Sequence, residues 1–587
     1  MRSKWIEHAK KADFKMWSDE LHISALTARL LRNRGVETLE EARLYLYGTI
    51  DDLADPYLFK DLRKAVGLIE QVRDAKGKIC IVSDYDDDGI FSGQILHEGL
   101  TALGIENEVL SPNRNHEGYG INRRIIDDAK AHGCSMILTC DNGIAALGEL
   151  AYAKEQGLQA IVTDHHEPQY ENLPADAVID AKQEDCPYPF KELCGAGVAF
   201  RLIQALYERA GIGKEKEEEL YEYAAIATVA DVVPLQGENR IIVKEGLNRL
   251  RKTEKPGLRA LMDVCGLVPE NVTSYHIGFV IGPCFNAVSR LTGEAGLARE
   301  LLSAKSCEEA LPIAQKMREL NEKRKMMTEE GFEEALRITE EAEWKDDPVY
   351  VVPLSDTDEA VIGIIAGRLK ERFYKPVIVL TKGEEPGMYK GSGRSIEAYH
   401  LMENLTKCRE LLFRFGGHAM AAGLSVEEKN IDAFREMLVQ NCMLTEKDLT
   451  PVTYIDARVP IPYITEGMIR ELSVLEPFGT ANEKPLFALP HLSVTGLNLI
   501  GKNRNVLKLR VTDANGLPIE AVDFKDGPEL LEFLKSEFGE ASIFAARTGQ
   551  PNPIDIALAF YPDVNEFRGS VTLQLIITDW CRIPQKT

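Results

Sequence analysis

Five short apolar runs between Lys78 and about Asp180 alternate with segments of helical length, and this alternation constrains the fold more than any other feature of the sequence. The runs are KICIVS, IENEVLSP, SMILTC, LQAIVT and DAVIDA. Strands that are separated by helix-length connections form a parallel sheet with helices on both faces. We therefore predict an α/β protein whose first domain is a doubly wound parallel sheet.

The rest of the chain is divided by changes of pattern. A chain of 587 residues is too long for one hydrophobic core and implies roughly three or four domains. The predicted regions are an N-terminal helical region (1–70), the parallel-sheet domain (71–295), a long connecting helix (296–345), a second α/β domain (346–450) and a β-rich region (451–587). On the connecting helix, Ile313, Met317 and Leu320 form one apolar stripe, and we expect the charged faces to be solvated.

The composition limits the class of protein. With 44% hydrophobic and 28% charged residues, the chain is typical of a globular protein. It contains no apolar run of membrane-spanning length, and its first residues lack the apolar core of a signal peptide. The 11 cysteines are scattered without a CxxC pair, which indicates reduced thiols in the cytoplasm. A net charge of −24 argues against nucleic-acid binding by overall charge, so a polyanion needs a local basic groove or bound metal.

Acidic and histidine side chains follow the predicted strands at the sheet edge where open parallel sheets bind ligands. The segment DYDDDG, directly after the first strand, contributes Asp84, Asp86, Asp87 and Asp88. Two later strand ends and one helix end contribute Asp141, Asp164, His165, His166 and Asp231. Unpaired carboxylates repel one another and resist desolvation, so a folded chain needs a reason to gather them.

The simplest reason is a divalent cation. Carboxylates with one or two imidazoles suit Mn²⁺ or Mg²⁺ better than a thiolate-preferring metal, and bridging acids could hold two ions ~3.5–4 Å apart for phosphoester cleavage. Taken singly, a DxD is usually a solvated turn, and an Asp at a strand end commonly caps the next helix. Their convergence at one sheet edge favours the metal site. The chain lacks GxGxxG after a strand and GxxxxGK[ST], which argues against a dinucleotide or P-loop enzyme.

The ordered segments SDYDDDG, TCDNG, TDHHEP and VADVVPL resemble the four motifs of the DHH phosphoesterase superfamily. Other segments resemble its RecJ exonuclease branch: SPNRNHEGYGIN, LCGAGVAFRL, IGPCFNAVSRL, GIIAGRLKERFYKPVIVL, GSGRSIEAYHL and FGGHAMAAGL. LEPFGTANEKPLF resembles the start of a C-terminal OB-fold. The resemblance covers the chain from about residue 45 to its C terminus. It implies a DHH domain, a DHH-associated α/β domain and an OB-fold.

The same resemblance implies a function and a set of site residues. It implies a Mn²⁺- or Mg²⁺-dependent 5′→3′ exonuclease that degrades single-stranded DNA to 5′-mononucleotides in DNA repair and recombination. The implied metal ligands are Asp84, Asp86, Asp141, His165 and Asp231. Asp88 and His166 would orient these ligands or stabilise the scissile phosphate. The implied pocket for the 5′ terminus comprises Arg114, Asn286, Arg290, Ser392, Arg394 and His418. The implied partners are single-stranded DNA, single-strand-binding protein and a helicase.

Three positions depart from the pattern of the family. Asp87 stands where the family usually has Ala or another small residue, so it is either a solvated acid or an influence on metal preference. Cys284 stands where the family tends to have Arg, and the usual Trp-His before VIGIIAGRL is missing. An alternative to the terminal pocket is that Arg290 and Arg394 form interdomain salt bridges.

In the C-terminal region, NVLKLRV predicts a strand with one buried face, because apolar residues alternate with Lys508 and Arg510. These two cations would contact the backbone of a single strand bound to the OB-fold. The alternative is an edge strand whose Lys and Arg discourage aggregation.

Two other functions stay open. One is a DHH phosphodiesterase of cyclic dinucleotides or short RNA, but such enzymes usually end after the associated domain. The other is a non-catalytic replication scaffold, but such relatives have lost acids and histidines that this chain retains.

Overall fold

The computed structural model describes residues 3–567 and 570–582, which form two compact units. One unit combines the described residues of 1–46, 443–476 and 483–587, and the other contains 47–442 and 477–482. The sequence pattern predicts one region over residues 1–70, whereas the structure divides these residues between the two units. No helix among the described residues has both the length and the apolar character needed to cross a bilayer.

The chain begins with a short strand and three helices: β1 (Lys4–Glu7), α1 (Phe14–Leu21), α2 (Ala25–Asn33) and α3 (Leu39–Tyr47). The first two helices begin at capping side chains. Asp13 accepts a hydrogen bond from the Met16 N–H, and Ser24 accepts one from the Thr27 N–H.

The predicted doubly wound sheet is confirmed. Its elements are α4 (Leu62–Asp74), β2 (Lys78–Ser83), α5 (Asp87–Ala102), β3 (Glu106–Leu110), α6 (Arg123–Ala131), β4 (Cys134–Cys140), α7 (Leu147–Glu155), β5 (Gln159–Thr163) and β6 (Ala177–Ile179). The five strands are parallel in the order β3–β2–β4–β5–β6. Because strand side chains alternate, Ile79 and Ile81 pack with α4 and α5, and Cys80 and Val82 pack with α6 on the other face.

A helical region follows the sheet. It contains α8 (Gly195–Ala210), α9 (Lys214–Glu218), α10 (Tyr221–Ala230), α11 (Gly237–Leu250), α12 (Pro256–Val264), α13 (Ser274–His276), a π-helical segment (Ile277–Ile281), α14 (Gly282–Thr292), α15 (Gly296–Ser303) and α16 (Cys307–Glu341). The connecting helix α16 begins at Ser306, which caps it by accepting the Glu309 N–H. Its 35 residues span about 52 Å. The predicted stripe packs against the core of the sheet domain, with Met317 fully buried.

The second α/β region contains β7 (Tyr350–Pro353), α17 (Glu359–Phe373), β8 (Val377–Lys382), β9 (Met388–Arg394), α18 (Leu401–Lys407), β10 (Leu412–Gly417), β11 (Ala421–Glu427) and α19 (Ile431–Gln440). Its strand order is β10–β11–β9–β8–β7, with β7 and β8 parallel and the other pairs antiparallel. Val361 and Ile365 of α17 pack against Val377 and Val379 of β8.

The C-terminal region contains β12 (Val452–Ile455), β13 (Ala457–Arg458), α20 (Glu466–Leu472), β14 (Phe487–Ile500), β15 (Val506–Thr512), β16 (Pro518–Asp523), α21 (Gly527–Phe538), α22 (Glu540–Arg547), β17 (Asp555–Phe567) and β18 (Ser570–Cys581). Because β14 pairs with both β15 and β17, the strands β14–β15–β16–β18–β17 close into a five-stranded barrel. This confirms the predicted OB-fold. The N-terminal strand β1 joins the same unit by pairing in parallel with β12.

Candidate metal centre

The first acidic side chains lie where β2 passes into α5. Asp84 follows the last residue of β2, and Asp86 caps α5 by accepting the Gly89 N–H at 3.2 Å. A Cβ at position 89 would lie 2.6 Å from the Asp84 carbonyl oxygen. Glycine at this position therefore allows the first helical turn to pack on the strand end, which brings the two carboxylates together.

Asp88 is held by the N-terminus of α8. Its Oδ2 accepts the Gly195 N–H at 2.6 Å, and its Oδ1 accepts the Ala196 N–H at 2.8 Å. Helix N-termini leave such donors unpaired, and a carboxylate satisfies them well. A Cβ on Gly195 would lie 2.6 Å from the Cβ of Asp141, so glycine also lets α8 reach the acidic cluster. Asp88 Oδ2 lies 3.6 Å from His165 Nε2.

Asp141 follows β4 in a left-handed conformation, with φ at 60°. Its backbone carbonyl accepts the Tyr119 hydroxyl at 2.6 Å, and its Oδ1 lies 3.1 Å from His165 Nε2. The Tyr119 hydroxyl is also 3.2 Å from His166 Nδ1. Tyr119 is not among the predicted site residues. The sequence signal for it is a position between two glycines in SPNRNHEGYGIN, a segment that resembles the RecJ family.

Asp164 positions the histidine pair at the end of β5. Its Oδ2 accepts the Ile144 N–H at 2.9 Å, and its Oδ1 lies 2.8 Å from His166 Nδ1. Burial is the largest single influence on Asp164 and disfavours its charge, but the His166 hydrogen bond, the charges of both histidines and the Ile144 N–H together hold the Asp164 pKa below its ordinary value. Against the effect of burial, the hydrogen bond to Asp164 and the charges of the nearby carboxylates together raise the pKa of His166, whereas burial lowers the pKa of His165. A neutral His165 ring can donate a lone pair to a metal ion.

Asp231 completes the cluster from the end of α10. Its Oδ2 lies 3.8 Å from His165 Nε2 and, among the described residues, is buried without a hydrogen-bond partner. Burial raises the pKa of Asp231, and the charges of Asp88 and Asp86 add to the effect. Burial and neighbouring carboxylates also raise the pKa values of Asp84 and Asp141. A bound cation would supply the positive charge that these groups lack.

Three overlapping groups of side chains each bring ligand atoms within 4.8 Å of one another. They are Asp84, Asp86 and Asp141; Asp88, His165 and Asp231; and Asp141, His165 and His166. Carboxylate oxygens with imidazole nitrogens fit Mn²⁺ or Mg²⁺, and the unpartnered oxygen of Asp231 fits a ligand position. The structure thus gathers all seven residues predicted as metal ligands or as their catalytic neighbours.

Asp87, considered above as a solvated acid, is 2% exposed. Its Oδ2 accepts the Asn286 side-chain amide at 2.7 Å, and a Cβ on Gly282 would lie 2.8 Å from the same oxygen. Burial raises the pKa of Asp87, with Asp86 adding to the effect. Asp87 therefore links the acidic turn to α14 instead of facing solvent.

The predicted terminal pocket begins beside this contact. Arg290 of α14 donates to the Ala360 carbonyl at 3.3 Å, at the start of α17. Burial and the charges of Arg114 and Arg324 lower the pKa of Arg290 to about 10. Arg114 lies over the Tyr85 ring, 4.9 Å from its centroid.

Ser392 and Arg394 approach α17 from β9, one turn beyond Ala360. Arg394 donates to Ser392 Oγ at 3.1 Å, and a Cβ on Gly363 would lie 3.0 Å from both side chains. Within the described residues, neither Arg290 nor Arg394 forms an ion pair with a carboxylate, so the interdomain salt bridges considered above are absent there. His418 lies exposed after β10, and no described hydrogen bond joins its ring to these arginines.

The two basic residues of the OB-fold lie in the other unit. Lys508 pairs with Glu520 at 2.9 Å, and Arg510 is exposed between buried Leu509 and Val511. Because β15 pairs with a strand on each side, it is not an edge strand.

The parallel sheet, the acid-histidine cluster at its edge and the second α/β domain define a phosphoesterase of the DHH class. Three family models match the chain: the DHH family N-terminal domain over residues 78–230, the DHHA1 domain over 346–443 and the RecJ OB domain over 455–579. The chain belongs to the RecJ family.

Individual RecJ proteins agree with this assignment. The single-stranded-DNA-specific exonuclease RecJ of Dickeya dadantii is 34% identical over 94% of this chain and 96% of its own length. The Bacillus subtilis protein of the same name is 37% identical over 90% of this chain, which spans 66% of that relative. The crystal structure of Thermus thermophilus RecJ with Mn²⁺ superposes with a TM-score of 0.82 at 27% identity, covering 100% of this chain and 80% of that one. A second structure of that protein contains Mg²⁺.

Proposed function

We propose that this protein is an exonuclease that hydrolyses single-stranded DNA from the 5′ end and releases 5′-mononucleotides. The observation that carries the proposal is the set of three overlapping carboxylate and histidine groups at one sheet edge. The curated RecJ relatives are single-stranded-DNA-specific exonucleases, and the solved Thermus thermophilus structures contain Mn²⁺ or Mg²⁺. The completeness of the acidic set favours hydrolysis over a scaffold role.

The proposed metal ligands are Asp84, Asp86, Asp141, His165 and Asp231. When bound, Mn²⁺ or Mg²⁺ polarises the scissile phosphate and lowers the pKa of a bound water, and two ions can do so together. Asp88 keeps the cluster aligned with α8 through its two backbone hydrogen bonds. His166, oriented by Asp164 and with its pKa raised, can donate a hydrogen bond to the phosphate.

We propose that the arginines around α17 set the 5′→3′ direction of degradation by binding the 5′ end of the strand. A 5′-phosphate suits the forked guanidinium donors of Arg114, Arg290 and Arg394, and Ser392 supplies a hydroxyl. The absence of described carboxylate partners for Arg290 and Arg394 leaves their charge available to an anion. Asn286, which donates a hydrogen bond to Asp87, lies one helical turn before Arg290 on α14. We place His418 at the rim of this pocket by family resemblance alone.

Lys508 and Arg510 are proposed to contact the backbone of longer strands on the OB-fold. Family resemblance supports a role in DNA repair and recombination, with single-strand-binding protein and a helicase as partners. None of the eleven cysteines, all of which lie among the described residues, forms a disulfide, and this supports a cytoplasmic location.

The test is a comparison of substrates in the presence of Mn²⁺. Single strands labelled at the 5′ or 3′ end, duplex DNA, short RNA and a cyclic dinucleotide are incubated with the wild type and with Asp141→Ala. We expect mononucleotides from the 5′ end of single strands only, and no product from Asp141→Ala. The exposed-acid control Asp185→Asn should retain full activity, because Asp185 forms an ion pair with Lys60 at the surface and is not part of the acidic cluster. Preferential cleavage of short RNA or the cyclic dinucleotide would contradict the proposal.

A further inference from the structure

Cys284, one of the departures from the family pattern, lies against a second cysteine. Its Sγ is 3.9 Å from the Sγ of Cys265. Cys265 directly follows α12 and is partly exposed, whereas Cys284 lies in the first turn of α14 and is 1% exposed. An accessible thiol beside an enclosed one is the arrangement of redox pairs, in which the first thiol reacts and the second resolves it. The proposed hydrolysis uses neither thiol.

The surroundings make the two thiols unequal. The hydrogen bond with Cys284 lowers the pKa of Cys265. The charges of Arg318 and Lys325 add to this effect, against the opposing effects of burial and the charge of Glu322. The same hydrogen bond and burial raise the pKa of Cys284. Because the thiolate is the nucleophile in thiol oxidation, Cys265 is the residue that reacts first.

Both access and local structure favour a reaction at Cys265. A groove of about 570 Å³ is lined by Arg318 and by the two residues that precede Cys265, so small solutes reach this end of α12. A disulfide holds its sulfur atoms about 2 Å apart, so closure has to shorten the distance between them by about 2 Å. Gly266 follows with φ at 70°, which ends the helix there. A helix end opens at a lower free-energy cost than the middle of a helix.

Cys284 is held more firmly. Its Sγ accepts a hydrogen bond from Asn321 Nδ2 at 3.4 Å, in the buried middle of the connecting helix α16. The Asn321 Oδ1 in turn accepts the Arg324 guanidinium at 2.9 and 3.0 Å. Closure of the disulfide pulls the Cys284 sulfur towards α12 and therefore changes the contact between α14 and α16.

Helix α14 carries this change to the metal centre. A Cβ on its first residue, Gly282, would lie 2.8 Å from Asp87 Oδ2, so the helix already packs closely on the acidic turn. Asn286, two residues after Cys284, donates to the same oxygen at 2.7 Å. Asp87 directly follows Asp86, one of the proposed metal ligands. Displacement of the start of α14 therefore disturbs the segment that holds this ligand.

We propose that Cys265 and Cys284 form a reversible disulfide on exposure to a hydroperoxide, and that this bond slows hydrolysis by displacing α14. Disulfides in reducing compartments are usually transient, and redox sensing is one of their roles. The effect on hydrolysis rests on the proposed function, whereas formation of the disulfide does not.

The reaction takes two steps. The Cys265 thiolate attacks one oxygen of hydrogen peroxide, the O–O bond breaks, and hydroxide leaves as Cys265 becomes a sulfenic acid. Cys284 then attacks the Cys265 sulfur, the S–O bond breaks, and the hydroxyl group leaves as water with the Cys284 proton. The peroxide gains two electrons, and the two thiols lose them in forming one disulfide. A dithiol reverses the second step by thiol–disulfide exchange.

The first measurement detects the bond itself in the full chain. Wild type is treated with hydrogen peroxide in chelator, its free thiols are alkylated, and it is digested without reductant. Because no Lys or Arg lies between residues 260 and 289, trypsin leaves both cysteines on the peptide 260–290. Cleavage after Glu270 divides this peptide, and we expect its two fragments to stay linked until a dithiol is added. Cys265→Ser and Cys284→Ala should give no linked fragments. Their absence from oxidised wild type would overturn the proposal.

The second measurement compares kcat/KM on single strands with Mn²⁺ after the peroxide has been removed. Oxidation should lower the wild-type value by about threefold or more, as for the loss of a hydrogen bond at the site, and a dithiol should restore it. Cys265→Ser should keep its value through the same treatment. Cys307→Ser is the matched control, because Cys307 is an exposed cysteine at the start of α16; this variant should respond like the wild type.

The two measurements separate the possible failures. Linked fragments with an unchanged kcat/KM would refute the effect on hydrolysis, and so would a loss of activity that persists in Cys265→Ser. If the reduced protein degrades no single strands, the proposed function fails, and the linked fragments still decide whether the disulfide forms.

Discussion

Asp180 offers a quantitative test of the electrostatics around the histidine pair. It follows β6 and is fully buried; its Oδ1 accepts the Lys182 N–H at 2.7 Å, and its Oδ2 has no hydrogen-bond partner among the described residues. Burial raises its pKa from 3.8 to about 7, and the charge of Asp164 adds to the effect. A raised carboxyl pKa in the folded state means that the folded protein holds its proton to higher pH than the unfolded chain does. The stability that this proton provides is complete below pH 3.8 and is lost as the pH rises through 7.

The substitution Asp180→Asn removes this titration while keeping the shape and the oxygen that accepts the Lys182 N–H. The Asp180 pKa is 3.8 in the unfolded chain and about 7 in the folded protein. Raising the pH from about 5.5 to about 8.5 therefore lowers the free energy of unfolding of the wild type by about 2 kcal/mol. The variant avoids this loss, so its stability relative to the wild type should rise by that amount. The amide introduces a donor that can lack an acceptor, at about 1–3 kcal/mol, but this cost is the same at both pH values.

The assay compares thermal unfolding of the variant and wild type at the two pH values in chelator. Asp185→Asn is the control, since this exposed acid lies five residues away and its pKa is lowered by its hydrogen bond to Lys60. We expect Asp180→Asn to gain relative stability at the higher pH and the control to show no such gain. A stability difference between Asp180→Asn and wild type that is independent of pH would refute the reasoning.

Four further predictions concern the metal centre, the proposed terminal pocket and the OB-fold. Asp231→Ala should abolish hydrolysis and remove the rise in melting temperature that Mn²⁺ gives the wild type, without lowering the stability measured in chelator, because Asp231 Oδ2 has no described hydrogen-bond partner. Chelator should silence the wild type and Mn²⁺ should restore it. Arg394→Ala should remove the preference for a 5′-phosphate over a 5′-hydroxyl and lower kcat/KM about 10- to 100-fold, as expected for the loss of charge-assisted hydrogen bonds; an unchanged preference places the pocket elsewhere. Lys508→Ala/Arg510→Ala should reduce the salt dependence of KM for long strands by about 0.7 in logarithmic slope per lost phosphate contact and spare very short ones.

The sheet domain could be predicted from the sequence because its signals are local. Each strand is an apolar run bounded by helix-length segments, and the parallel arrangement follows from that alternation. The capping of α16 by Ser306 is also local, and it explains why the connecting helix starts later than predicted. Strand β1 has no such signal. Its four residues pair with β12, about 450 residues away, and nothing in KWIE itself indicates that contact.

The members of the acidic cluster could be predicted from residue type and position, but the role of each acid within the cluster could not. Strand ends in a parallel sheet converge, which predicts that Asp84, Asp141 and His165 meet. Which carboxylates are already satisfied by the protein depends on contacts between distant segments. The contact of Asp88 with α8 and that of Asp87 with Asn286 each join residues more than 100 positions apart. Tyr119 was missed for another reason: its partner is the backbone carbonyl of Asp141, and a backbone acceptor leaves no residue-type signal in the sequence.

These contacts explain how one protein can bury so many acids. Asp88 is compensated by two backbone N–H groups, Asp164 by His166 and the Ile144 N–H, and Asp87 by Asn286. Those three acids stabilise the position of the segments that carry them.

The compensation differs for Asp141 and Asp231. Each lies beside the neutral His165 ring, and burial together with the charges of Asp88 and Asp86 raises the pKa of both. A buried carboxylate with few protein donors is destabilising unless a cation replaces them. It follows that the acids with protein partners hold the shape of the site, while those without them create the affinity for the metal. Substituting a residue of the first kind should therefore lower stability and activity together, and substituting one of the second kind should lower activity alone.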